Sequence, residues 1–122
     1  MKTVLLIALG SAIGGVCRYG MQVFFSKNYP AAFPFGTLAV NILGCFCIGL
    51  FFAMAQKGNV FSEDTRLFLM AGLCGGFTTF SAFALENMIL LRNNDFLNAG
   101  LYVAGSVVLG IGAVYLGMQL VK

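Results

Sequence analysis

Charge in this chain is confined to a few short stretches, with long uncharged runs between them. Residues 28–56 and 96–121 contain no Asp, Glu, Lys or Arg. Residues 67–85 form a third such run, and residues 3–17 a fourth that Arg18 ends. A helix needs about 20 mostly apolar residues to cross the hydrocarbon core of a bilayer. The pattern therefore predicts four membrane helices, at roughly 3–26, 33–56, 65–92 and 96–121. Their joints are "SKNYPAAFP", "QKGNVFSED" and "RNND", and Pro30 and Pro34 both fall in the first, where a helix ends or begins. Four crossings put both ends on one side of the membrane and leave nothing for a second domain. Residues 1–122 read as a single four-span unit, an all-α integral membrane protein.

Composition agrees. The chain is 60% hydrophobic and 9% charged, without histidine or tryptophan, whereas a soluble domain carries roughly a quarter charged residues. Lys2 before "VLLIALGSAIGGV" has the look of a secretory leader, but three more spans follow. "GGVC" also places Val where a lipoprotein cleavage site wants a small residue. The four cysteines, Cys17, Cys45, Cys47 and Cys74, all fall inside predicted spans without zinc-site spacing, and read as packing residues. No nucleophile–base pair or metal cluster is visible, so an enzyme is not expected, nor is a nucleic-acid partner. Lipid is the expected surrounding.

Charge at the joints is nearly balanced. Lys2, Lys57, Arg66 and Lys122 fall on one side, Lys27 and Arg92 on the other, joined by Arg18 if it snorkels. So weak a bias is compatible with insertion in either orientation, and with an antiparallel dimer. The 16 glycines include small-xxx-small pairs (Gly10 with Gly14, Gly72 with Gly76), and Ser106 with Gly110 and Ala113 with Gly117 continue the theme. In lipid such faces let helices approach closely, and they suggest a homodimer.

Polar groups at membrane depth are costly and mark function. Arg18 lies toward the end of the first span and reads equally as a snorkelling or a buried residue. On the second span, Thr37 and Asn41 stand at i, i+4 on one face, suited to helix contacts or a wet path. Glu86 is the only acid within the body of any span, and on the fourth span Tyr102, Ser106 and Gly110 form another row.

The third span is too long. Residues 65–92 as one helix would run roughly 42 Å, against a hydrocarbon core of about 30 Å. Near its middle stands "GGFTTFSAF", residues 75–83. Its two glycines and following hydroxyls predict a helix broken at its centre, with Phe77 in the break and Phe80 and Phe83 on one face beyond it. Broken helices expose backbone groups that bind ions, carbonyls facing cations and half-helix N-termini facing anions. A Phe ring edge, positive in its quadrupole, can also meet an anion.

Three stretches together, "GGVCRYG" at 14–20, "GTLAVNILGCFCIG" at 36–49 and "GLCGGFTTFSAF" at 72–83, resemble the Fluc (CrcB) fluoride channels. With the four-span layout, the resemblance covers essentially the whole chain. It implies a passive fluoride-selective channel that exports fluoride across the bacterial inner membrane. It also implies an antiparallel dual-topology homodimer with two pores and a structural sodium ion at its centre. Backbone carbonyls of Gly75 and Thr78 would hold that sodium. Asn41, Phe80, Phe83 and Ser81 would face the pores, Arg18 would stand in a vestibule, and Thr37, Glu86, Tyr102 and Ser106 would be pathway neighbours. Ala82 and Cys45 depart from the family's usual Thr and Ser. Two other readings compete: a small dual-topology multidrug or metabolite exporter, and a non-transporting assembly subunit. The first needs a carboxylate in the first span, which residues 3–26 lack. The second leaves the Thr37–Asn41 pair and the polar break unexplained.

Overall fold

The computed structural model describes residues 1–29, 33–57 and 61–121. Pro30, Lys122 and part of "QKGNVFSED" lie outside the described residues. Among the described residues, four helices are long and apolar enough to cross a membrane: Lys2–Asn28, Phe35–Gln56, Glu63–Arg92 and Phe96–Gln119. Each matches a span predicted from the charge pattern to within a few residues.

Local chemistry sets the ends. Pro34, which has no N–H to lose, stands at the start of the second span. Ser62 caps the third, its Oγ accepting the Thr65 N–H at 3.1 Å, with Glu63 and Asp64 in the favourable first turn. Between the third and fourth spans Asn94 turns the chain with a φ of 60°. Asp95 then caps the fourth span, accepting from the Asn98 N–H at 3.4 Å and from its Nδ2 at 2.7 Å. Lys2 and Asp64, 3.2 Å apart, tie the starts of the first and third spans together at one end.

Two helix pairs make most of the chain, the first span against the third and the second against the fourth. Small residues decide both. A Cβ on Gly10 would lie 2.7 Å from the Phe68 carbonyl oxygen, and one on Gly76 2.5 Å from the Ser11 carbonyl oxygen. Gly49 and Gly117 bring the second and fourth spans together in the same way, against Val114 and Phe46. The Gly10–Gly14 and Gly72–Gly76 pairs are thus used within one protomer, so these pairs do not themselves call for a second copy. The small core at the opposite end is Leu90, Ala99 and Tyr102, covered by Phe33, Leu38 and Phe83.

The third span is irregular. It widens to π-type turns over Leu67–Cys74, returns to α at Gly75–Phe77, is interrupted at residues 78–80, and resumes as Ser81–Arg92. The interruption comes later than the glycines suggested. Gly75, Gly76 and Phe77 are helical, and the backbone leaves the helix at Thr78, with φ −80° and ψ 158°. Gly76 serves the close contact with Ser11 rather than the break. Hydroxyl residues, not glycines, carry the change of direction.

Candidate functional site

A helix interrupted inside a membrane leaves N–H and C=O groups that lipid cannot satisfy. Here Asn41 and Thr79 Oγ1 take up some of them, and the Thr78 hydroxyl adds a second bond to the last helical turn. Thr78 Oγ1 donates to the Cys74 carbonyl at 3.0 Å, finishing the first half-helix. Thr79 Oγ1 accepts the Ala82 N–H at 3.2 Å and starts the second half. Across from them on the second span, Asn41 holds the Thr79 backbone at both ends: Nδ2 donates to the Thr79 carbonyl at 3.0 Å, and the Thr79 N–H donates to Oδ1 at 2.8 Å. One Asn41 N–H remains free of that pairing. Had the helix continued, the Thr79 N–H would have bonded to the Gly75 carbonyl. Its turn toward Asn41 leaves that carbonyl without its helical partner.

Beside the interruption lies a cavity of about 430 Å³, whose wall includes Asn41, Gly75, Thr78, Phe80, Phe83 and Ser106. Ser106 Oγ is buried and has no hydrogen-bond partner among the described residues, a polar atom still to be satisfied. The Phe80 and Phe83 ring centroids are 5.7 Å apart, and Phe83 meets Tyr102 edge-on at 4.9 Å. Phe80 itself is 77% exposed on the surface of the chain, so the cavity opens outward. Cys45 also lines it, which places one departure from the family pattern in this wall.

A second polar cluster joins all four spans. Gln22 Nε2 donates to Thr37 Oγ1 at 2.9 Å, and Thr37 Oγ1 donates to Glu86 Oε2 at 2.9 Å. Tyr102 O–H donates to Glu86 Oε1 at 2.8 Å. Thr37 and Tyr102 are fully buried. Both Glu86 oxygens are thus engaged, the condition under which a carboxylate tolerates partial burial.

The structure therefore sorts the residues singled out in the sequence. Asn41, Phe80, Phe83 and Ser106 share the cavity with Gly75 and Thr78, while Thr37, Glu86 and Tyr102 share the hydrogen-bonded cluster. Ser81 is exposed, 3.4 Å from Thr79 Oγ1 and outside the cavity wall. Arg18 is half-buried and joins neither group. Thr79 and Gln22 are additions. Gln22 stands one turn beyond Arg18 on the same face, a polar spacing the sequence does contain.

Residues 5–118 match a family described as CrcB-like protein, Camphor Resistance (CrcB). Three curated relatives each bear the name fluoride-specific ion channel FluC. That of Flavobacterium psychrophilum is 46% identical over 122 residues, covering 100% of this chain and 98% of its own. That of Parabacteroides distasonis is 45% identical, covering 100% and 94%. That of Allorhizobium ampelinum is 44% identical over 118 residues, covering 97% and 94%.

Proposed function

The chain belongs to the CrcB-like protein family, and on that premise we propose that it is a passive, fluoride-selective ion channel. The observation that carries the reading is the cavity where the interrupted third span meets Asn41, Phe80, Phe83 and the unpartnered Ser106 hydroxyl. Fluoride is strongly hydrated, so a pore must replace its lost water with donors, as filter carbonyls do for potassium. The free Asn41 N–H and the Ser106 O–H supply donors here, and the Phe80 and Phe83 ring edges add positive quadrupole without further hydration.

The working unit in this reading is an antiparallel, dual-topology homodimer with two pores, exporting fluoride through the bacterial inner membrane. The outward opening of the cavity and the exposure of Phe80 support a second copy as its other wall. A structural sodium ion fits the same arrangement. Gly75 and Thr78 both line the cavity, the Gly75 carbonyl is released from its helical bond, and hard cations take oxygen ligands. Two copies would offer two such pairs of carbonyls around one ion.

Ion efflux from liposomes holding purified protein tests the function. Fluoride should leave far faster than from empty vesicles, and chloride should not. Fluoride release no faster than from empty vesicles sinks the channel, and comparable chloride release sinks its selectivity.

A further inference from the structure

Thr37 Oγ1 stands between Gln22 and Glu86, and a hydroxyl has one hydrogen to give. The Gln22 amide N–H can only donate, so at 2.9 Å it fills a lone pair of that oxygen. The single Thr37 hydrogen is then left for Glu86 Oε2, also at 2.9 Å. Glu86, as a carboxylate, can only accept, which agrees with that direction. Room for the amide is built into the second span. A Cβ on Gly36 would lie 2.5 Å from Gln22 Oε1 and 3.4 Å from Phe25 Cβ. Consecutive residues, Gly36 and Thr37, thus serve one side chain from the neighbouring helix.

The carboxylate this chain ends on lies beside the cavity and not in its wall, although Phe83, three residues earlier on the same helix, does line it. A carboxylate free to swing toward the cavity would set a negative charge against a passing anion, at short range and low dielectric. We propose that Gln22 is a positioning residue that seats the Thr37 hydroxyl and so holds the Glu86 carboxylate out of the anion path. This rests on the channel reading above.

Gln22→Met keeps the shape and removes the donor. Relative to the unsubstituted protein, fluoride efflux from liposomes should fall about tenfold, the scale of one lost hydrogen bond supporting a charged group. Gln22→Glu gives the sharper readout. Its ionised carboxylate cannot donate, whereas its protonated form regains an O–H donor. The ratio of its efflux to that of the unsubstituted protein, each corrected for empty vesicles, should therefore rise as pH falls. Among the described residues, the titratable groups joined to position 22 through the hydrogen-bonded cluster are Glu86 and Tyr102 of the third and fourth spans, with Arg18 and Tyr19 one turn earlier on its own helix. They are present in both proteins, so the ratio reads the titration of position 22 together with its coupling to Glu86. A ratio flat with pH, or unimpaired flux in Gln22→Met, overturns the proposal.

Thermal unfolding in detergent reads the same chain without flux. Gln22→Met should lower Tm, and the loss should shrink at least twofold when Glu86→Gln is already present, because no charge is left to hold. Equal losses in the two backgrounds overturn the positioning role. Absence of fluoride flux through the unsubstituted protein would instead sink the channel reading, with the unfolding cycle still judging Gln22.

Discussion

Asn41 pairs with both backbone groups of Thr79, at 3.0 Å and 2.8 Å, and in doing so replaces the helix bonds that the third span gives up. A residue expected to face an ion is thus first a structural clamp. Asn41→Ala should leave the Thr79 N–H and carbonyl unpaired, at a cost of about 1 kcal/mol or more for each group. The expected result is a clear fall in Tm together with loss of fluoride efflux. Asn41→Asp, which keeps the acceptor for the Thr79 N–H, should recover part of the Tm but not the flux. Full stability in Asn41→Ala would show that the pairing does not hold the break.

The two phenylalanines differ in a way their i, i+3 spacing does not reveal. Phe83 packs on Tyr102 at 4.9 Å, whereas Phe80 is 77% exposed. Phe80→Ile and Phe83→Ile should each suppress fluoride efflux, since an aliphatic side chain has no positive ring edge. Only Phe83→Ile should also lower Tm, by removing an aromatic pair worth about 0.5–1.5 kcal/mol beyond its area. Unchanged efflux in either variant would remove that ring from the path.

Adjacent glycines at the interruption should behave oppositely. A Cβ on Gly76 meets the Ser11 carbonyl oxygen at 2.5 Å, while one on Gly75 has no neighbour nearer than 3.8 Å. Gly76→Ala must force the first and third spans apart, costing about 1–3 kcal/mol as overpacking does. Gly75→Ala should leave the protomer fold intact. If it nonetheless weakens association of two copies, measured by size-exclusion chromatography with light scattering, the Gly75 surface is where they meet. Equal Tm losses in the two variants would contradict the packing of the first span on the third.

How far the sequence carried these assignments follows from what each depends on. The four spans were legible because lipid imposes length and apolarity on every residue of a run, whatever its neighbours. The Thr37–Asn41 face was legible for a similar reason, since i, i+4 spacing is local. It does meet the third span, Thr37 at Glu86 and Asn41 at Thr79. The break was read across Gly75 to Thr79 and so began about three residues before the interruption at 78–80, because Gly75 and Gly76 look like weak points in isolation. Gly76 stays helical because it packs on Ser11 of the first span, a contact no local pattern contains. Gln22 escaped notice because a glutamine near a span end resembles any interfacial polar residue until Gly36 and Thr37 are placed beside it.

Cation dependence tests the sodium proposal through the same carbonyls. If Gly75 and Thr78 carbonyl oxygens from two copies hold sodium, replacing it with a much larger organic cation on both sides should empty the site. Fluoride efflux should then fall and recover when sodium is restored, while chloride remains excluded throughout. Thr78→Ser keeps a hydroxyl for the Cys74 carbonyl, now bonded at 3.0 Å, and should retain the sodium response. Thr78→Val removes that bond, loosens the end of the half-helix, and should raise the sodium concentration needed for half-maximal flux. Indifference of the unsubstituted protein to the exchange would leave the released Gly75 carbonyl without an ion and end the proposal.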